Sequence, residues 1–257
     1  MRCSVVVATR DRHELLAETL PRHEAPVIVV DNASEDPIPG AIRLPRNLGG
    51  AGRNVGVRAA GTDYVALTDD DAWWEPGALA AATEWLDAHP NVALLQPKVL
   101  VGAEQRLDPV CAELAEAPHM LGFVACAVVV RRAAFLSVGG FHERLAVGGE
   151  EELLAWDLAA AGWELAYVPG VVAHHCPPGG NRPRRREVQL RNALLTPWLR
   201  RPWPMALRGT VSALRAAPRE PASARAVVRA LAGLPWVLRE RRPGPPHVEA
   251  MRRRLSG

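Results

Sequence analysis

Short β-branched runs alternating with helical patterns set the rhythm of the first two thirds of the chain. Residues 3–8 are an apolar, valine-rich run that predicts a buried strand, and Leu15, Leu16 and Leu20 behind it have helical spacing. Residues 27–30, Val-Ile-Val-Val, repeat the design, 41–44 predict a short third strand, and 63–68 predict another. Further on come a helix over 77–88, a strand over 92–96, a strand over 123–130 and a short helix over 131–138. A glycine pair, Gly148 and Gly149, opens a helix bearing Leu153, Leu154 and Leu158, followed by short strands over 163–168 and 171–173. Residues 98–121 carry no decisive period. Such alternation predicts an α/β fold, a mixed and mostly parallel sheet flanked by helices.

From residue 182 the pattern changes. A basic run over 182–186 leads into a helical pattern over 187–199, and prolines from Pro202 to Pro246 cut the remainder into short helices. The expected organisation is a body over 1–181 and a basic helical extension over 182–257. Arginines there alternate with apolar residues and with Trp198, Trp203 and Trp236, a composition that fits helices lying in a membrane interface or packed on the body. No stretch approaches the roughly 18 uninterrupted apolar residues of a span.

Charge sharpens this division. The 257 residues have a net charge of only +3, yet residues 1–181 hold 13 Lys and Arg against 24 Asp and Glu, while 182–257 hold 18 against 4. An acidic body with a basic tail suggests an anionic surface for the tail, or a tail folded back on the body. The run before Arg10 is too short for a signal peptide, so a cytoplasmic location is expected, with peripheral contact at the inner face of the membrane. Four cysteines, far apart and without a Cys-x-x-Cys pair, fit reduced thiols.

The candidate chemistry collects at strand ends. The 63–68 strand stops at Asp69, Asp70 and Asp71, and mutually repelling carboxylates in that position fit either a solvated acidic turn or a magnesium or manganese site shared with substrate phosphates. Thr9 closes the first strand, Asp31 and Asn32 the second, and in an open α/β sheet these ends share one crevice. The stretch from Asn47 through Gly50 to Arg53 and Asn54 runs glycine-rich into a helix, but with neither the dinucleotide nor the P-loop spacing. Glu150, Glu151 and Glu152 sit in a helix's first turn, where acids complement the macrodipole whether or not one faces the crevice. His174 and His175 follow the last strand and are either structural or ligands.

In this order the pieces resemble the family 2 glycosyltransferases of the GT-A fold. The matching residues are 4–10, 29–34, Asn47 to Gly50 with Arg53 and Asn54, Asp69 to Asp71, Gly139 to Phe141, Glu150 with Glu151, and Gly162 through Pro169 to His174. The resemblance implies a GT-A catalytic domain over 1–181, a nucleotide-sugar donor, a divalent metal (Mg or Mn) and inversion at the anomeric carbon. It places Thr9, Arg10, Asp31, Asn32, Asn47, Gly50, Arg53, Asp69 and Asp70 around the donor, with Asp71 and His174 at the metal. Glu151 falls at the base position, with glutamate standing where the family has aspartate, and the choice among Glu150, Glu151 and Glu152 stays open. His142, Leu153 and Asp157 also depart from the family pattern. The acceptor implied is a glycan, a lipid-linked or a small molecule, with no nucleic acid involved, in surface glycan or glycolipid synthesis. The competing readings are a sugar-phosphate nucleotidyltransferase, whose glycine-rich loop after the first strand is missing here, and an inactive nucleotide-sugar-binding module.

Overall fold

A computed structural model describes residues 2–117, 119–145, 147–179, 185–216 and 220–255. The expected boundary between 181 and 182, with Arg182 and Arg184, lies outside the described residues.

The first half builds β1 (Cys3–Thr9), α1 (His13–Thr19), β2 (Val27–Asp31), β3 (Ile42–Arg43), α2 (Arg53–Ala59), β4 (Tyr64–Thr68), β5 (Ala72–Trp74) and α3 (Ala78–Ala88). Next come β6 (Val92–Val101), β7 (Arg106–Leu107), α4 (Pro109–Glu116), β8 (Ala127–Arg131), α5 (Arg132–Ser137), α6 (Glu150–Ala160) and β9 (Glu164–His175). The strands form one sheet in the order β3-β2-β1-β4-β8-β6-β9-β5, with β7 on β6. Strands β3, β2, β1 and β4 are mutually parallel, as are β6 and β9; β8 and β5 run antiparallel to their neighbours.

Period-two alternation fills both faces. From β1, Val5 and Val7 enter the core under α3 with Tyr64, Leu86 and Leu95, while Val6 points the other way to Val57, Leu67, Leu154 and Leu158 of α2, β4 and α6. Coverage on both sides explains why these strands read as continuous apolar runs rather than alternating ones. Helix α2 lies so close that a Cβ on Gly56 would meet Val6 Cγ1 at 2.4 Å.

Several elements depart from the sequence expectations. Strand β6 continues through Pro97 to Val101, because its pairing with β9 shifts register between Pro97 and Lys98, and a bulge absorbs the missing donor. On the other side of that shift Pro169 and Gly170 bulge out, so the two short strands expected there are one, β9. The strand expected over 123–130 begins only at Ala127; residues 123–126 are coil, with the Val124 N–H on Gln96 Oε1 at 2.7 Å. The two tryptophans after the acids form edge strand β5. Trp74 is buried, its Nε1 donating to Thr68 Oγ1 at 2.9 Å, and Trp73 is capped by Arg22 and stacked on His174.

The tail forms α7 (Arg185–Arg200), α8 (Trp203–Ala216), α9 (Pro221–Ala232), α10 (Leu234–Glu240) and α11 (Pro246–Arg254). It folds back on the body. Leu145 and Leu153 join Leu194, Leu195, Trp198 and Leu199 in one core, and Trp156 and Ala159 join Val248 of α11 in another. Arg200 clamps Asp157 with Nη2–Oδ2 at 2.9 Å.

Candidate active site

The carboxyl ends of β1, β2 and β4 open on a cleft of about 520 Å³. The acids after β4 fan out. Asp69 accepts from Arg53 Nη2, and its backbone N–H is fixed on Cys126 O at 2.9 Å. Asp70 turns inward, accepting from Thr9 Oγ1 and from Arg12 Nη1 at 2.6 Å, while Thr19 Oγ1 holds its carbonyl at 2.9 Å. Asp71 Oδ2 accepts from Arg12 Nη1 at 3.2 Å; its Oδ1 lies 3.1 Å from His175 Nε2 but in no hydrogen bond, a buried oxygen left without one. Burial pushes the Asp70 carboxyl up despite Thr9 and Arg12. At Asp71 burial acts the same way, but His175 and Arg12 outweigh it and hold the group below its usual value.

Asp69, Asp71 and His175 can each present one ligand atom within 4.8 Å of the others. Two carboxylates and an imidazole, one carboxylate oxygen being orphaned and buried, fit a divalent cation that also takes phosphate oxygens.

Across the cleft, Gly148 (φ +75°) and Gly149 (φ +94°) turn the chain into α6. The side chain of Asn192 on α7 donates to Gly148 O and to Val147 O, so a helix of the tail fixes this entry. Glu150 is buried against Gly50, where a Cβ would come within 3.1 Å of Glu150 Oε1, and Glu150 Oε2 has no hydrogen-bond partner. Burial, and then the charge of Glu151, push the Glu150 carboxyl well above the carboxylate range, against the nearby Arg53. Glu151 is half-buried, its Oε2 accepting from the Gly149 N–H at 3.2 Å. Glu152 turns away to α11, 3.6 Å from Arg252.

Thr9, Arg10, Asn32, Gly50, Arg53, Asp69, Asp70, Asp71, Glu150 and Glu151 therefore share one cleft wall. Three expected residues do not. The Asp31 carboxylate is fully buried and already engaged by the Ser34 N–H at 2.8 Å and Arg43 Nη1 at 2.6 Å, and it lies off the wall. Asn47 is also off the wall, its Oδ1 accepting from the Gly49 N–H at 2.8 Å. His174 stacks on Trp73 and contacts Glu75 and Gln105; alternation along β9 sends His175 to Asp71 instead. Sequence reasoning missed Arg12, Asp108, Cys126 and Gln189 on this wall, and it singled out His175 with His174 but gave the metal to His174. Of the four missed, Asp108 alone carried a signal, as the residue before Pro109 at a helix start.

A sheet of this order with an acidic crevice beyond its parallel strand ends defines the GT-A architecture. Residues 4–111 match the family model described as Glycosyl transferase family 2. A curated relative, the pre-mycofactocin glycosyltransferase of Mycobacterium tuberculosis, is 34% identical over 178 residues, covering 58% of this chain and 37% of the relative. The chain thus spans well under half the length of the curated relatives it matches. Among solved structures, mannosyltransferase PcManGT from Pyrobaculum calidifontis, in complex with GDP-Man and Mn2+, aligns with TM-score 0.62 and 23% identity over 99% of this chain and 85% of that one. S. aureus TarS 1-349 in complex with UDP-GlcNAc aligns with TM-score 0.59 and 18% identity over 76% and 66%.

Proposed function

We propose that this chain moves a sugar from a nucleoside-diphosphate donor to an acceptor hydroxyl, with inversion and metal assistance, in surface glycan or glycolipid synthesis. The observation that carries the reading is the convergence of Asp69, Asp71 and His175 opposite Glu150 and Glu151 across one cleft. The donors named for the structural neighbours, GDP-Man and UDP-GlcNAc, support a nucleotide sugar here. Thr9, Arg10, Asn32 and Arg53 would hold the nucleotide. Asp31 and Asn47 would act through the loops they brace, and the metal role expected of His174 passes to His175.

A divalent cation (Mg or Mn) held by Asp69, Asp71 and His175 would supply positive charge to the diphosphate as it leaves. Arg12 and Arg53 add fixed guanidinium charge to the same cleft. Glu151, half-buried in the first turn of α6 and lining the cleft, takes the acceptor's hydroxyl proton while the acceptor oxygen bonds to the anomeric carbon. The bond from that carbon to the diphosphate oxygen breaks with its electron pair, and attack from the opposite face inverts the centre. The acceptor is a glycan, a lipid-linked or a small molecule. The chain would work in the cytoplasm, peripherally on an anionic inner membrane face; among the described residues no helix is long and apolar enough to cross a membrane.

Thermal melting with a panel of nucleotide sugars, with and without manganese, tests the donor site. One donor should raise the melting temperature only with the metal, and Asp71→Ala should abolish the shift together with donor hydrolysis. An Asp71→Ala protein that binds the donor as the parent does, with full activity, would overturn the metal assignment.

A further inference from the structure

The apolar side chains of the tail are not all used inside it. Of ten large hydrophobics exposed among the described residues, seven lie on α8, α9 and α10. Four of them fall on one stripe of α8, at the i, i+4, i+8 and i+11 spacing: Trp203 (37% exposed), Leu207 (52%), Val211 (43%) and Leu214 (52%). The adjoining face of the helix, which meets the tail's core, is small: Ala206, Ala213, and Thr210, whose hydroxyl accepts from Trp198 Nε1 at 2.9 Å. Helix α8 therefore turns its largest apolar groups to solvent, which scattered surface leucines do not do.

Cations gather beside the stripe. Arg201, Met205, Arg208 and Arg253 line a hollow of about 340 Å³. Arg208 meets no carboxylate among the described residues, its Nη1 reaching only Met205 Sδ at 3.7 Å. Arg201 and Arg253 share the single carboxylate of Glu249, at 2.8 and 3.4 Å. Three guanidinium groups against one carboxylate leave the hollow cationic, and the planar fork of arginine matches a phosphate bidentately.

We infer that α8 is the membrane-docking element of this chain, with Leu207, Val211 and Leu214 immersed at the acyl boundary and a phospholipid phosphate seated in the Arg201–Arg208–Arg253 hollow. The inference deepens the proposed peripheral association and names the surface that makes it. Charge complementarity selects the occupant. An apolar stripe bordered by three arginines with a single carboxylate among them fits an anionic bilayer, where apolar burial and headgroup attraction act together. Trp203, under the Arg241 guanidinium at 4.0 Å, stands at the helix start, as a headgroup-level aromatic would.

Flotation of the full chain with phosphatidylcholine vesicles, with and without phosphatidylglycerol, tests this. The parent should float with the anionic vesicles, and less so at high salt. Leu207→Gln with Leu214→Gln should weaken binding about tenfold or more, and Arg208→Gln with Arg253→Gln by about fivefold per charge removed. Leu107→Gln, an exposed position on β7, should change nothing. Each variant should keep the parent's melting temperature and its manganese-dependent donor binding, so loss of donor binding with flotation intact would count against the transferase reading alone. Variants of α8 that float like the parent would overturn the inference. So would a parent that ignores anionic vesicles but forms dimers that the α8 variants dissolve.

Discussion

At the scale of single residues, the three glutamates opening α6 are separated by what each one faces. Glu151 borders the cleft, so Glu151→Gln should keep donor affinity and lower turnover by about 10²–10⁴-fold. Glu152→Gln, beside Arg252, should turn over near the parental rate, and single-turnover assays on both variants check the assignment. Glu150 has a different signature. Its folded pKa lies near 8 against an ordinary 4.5, so the folded state keeps a proton that the unfolded chain has released, and stability is lost as pH rises through that window. Glutamine copies the protonated form. Melting temperatures across that pH window should therefore fall less for Glu150→Gln than for the parent, and parallel curves would remove burial as the cause. The histidines give a third comparison: His175→Ala should lose manganese-dependent donor binding and His174→Ala should keep it, as isothermal titration would show. The acids at Asp69 to Asp71 were legible because they interrupt an apolar strand. The choice between His174 and His175 was not, because it depends on the bulge at Pro169 and Gly170, and a one-residue slip exchanges the faces.

At the scale of elements, legibility followed burial. Strands β1, β2 and β4 stood out because coverage on both faces demands unbroken β-branched runs, whereas β5 and β7 are short edge pieces whose identity comes from partners distant in sequence. Residues 98–121 held one unread signal. Asp108 caps α4, accepting from the Val110 N–H at 2.8 Å, and Pro109 occupies the first helical position, a start pattern that needs no tertiary knowledge. Asp31 marked a strand end correctly, but nothing in its neighbourhood announced that Arg43 and Ser34 would consume its oxygens. The close seat of α2 on β1 yields a prediction for this scale. A methyl group at residue 56 would press on Val6 and Val30 from inside a helix, with no flexible side-chain end to yield. Gly56→Ala should cost about 1–3 kcal/mol by overpacking despite the better helix propensity of alanine. Chemical denaturation would register it, and a stabilised variant would show that α2 can lift from the sheet.

At the scale of the whole molecule, the charge division was visible in the sequence but its meaning was not. The acids of the tail are met largely by arginines of the tail itself, Glu187 by Arg225 and Arg229, Glu249 by Arg201 and Arg253. What fastens the tail to the body is mostly apolar. Removing it would bare Leu145, Leu153 and Trp156, each at most 2% exposed, and strip from Gly148 the Asn192 contact that shapes the entry to α6. Exposing a large apolar side chain costs about 1.5–3 kcal/mol, so three of them approach the roughly 5–15 kcal/mol that holds a typical domain together. A chain ending at residue 179 should therefore bind a hydrophobic dye, melt without a cooperative transition and lose donor binding along with membrane binding. Leu153→Ala in the full chain should fall partway, by about 2–5 kcal/mol. If the shortened chain instead melts cooperatively at the parent's temperature and binds donor with manganese, the tail is a separate appendage, and the cleft owes nothing to α7.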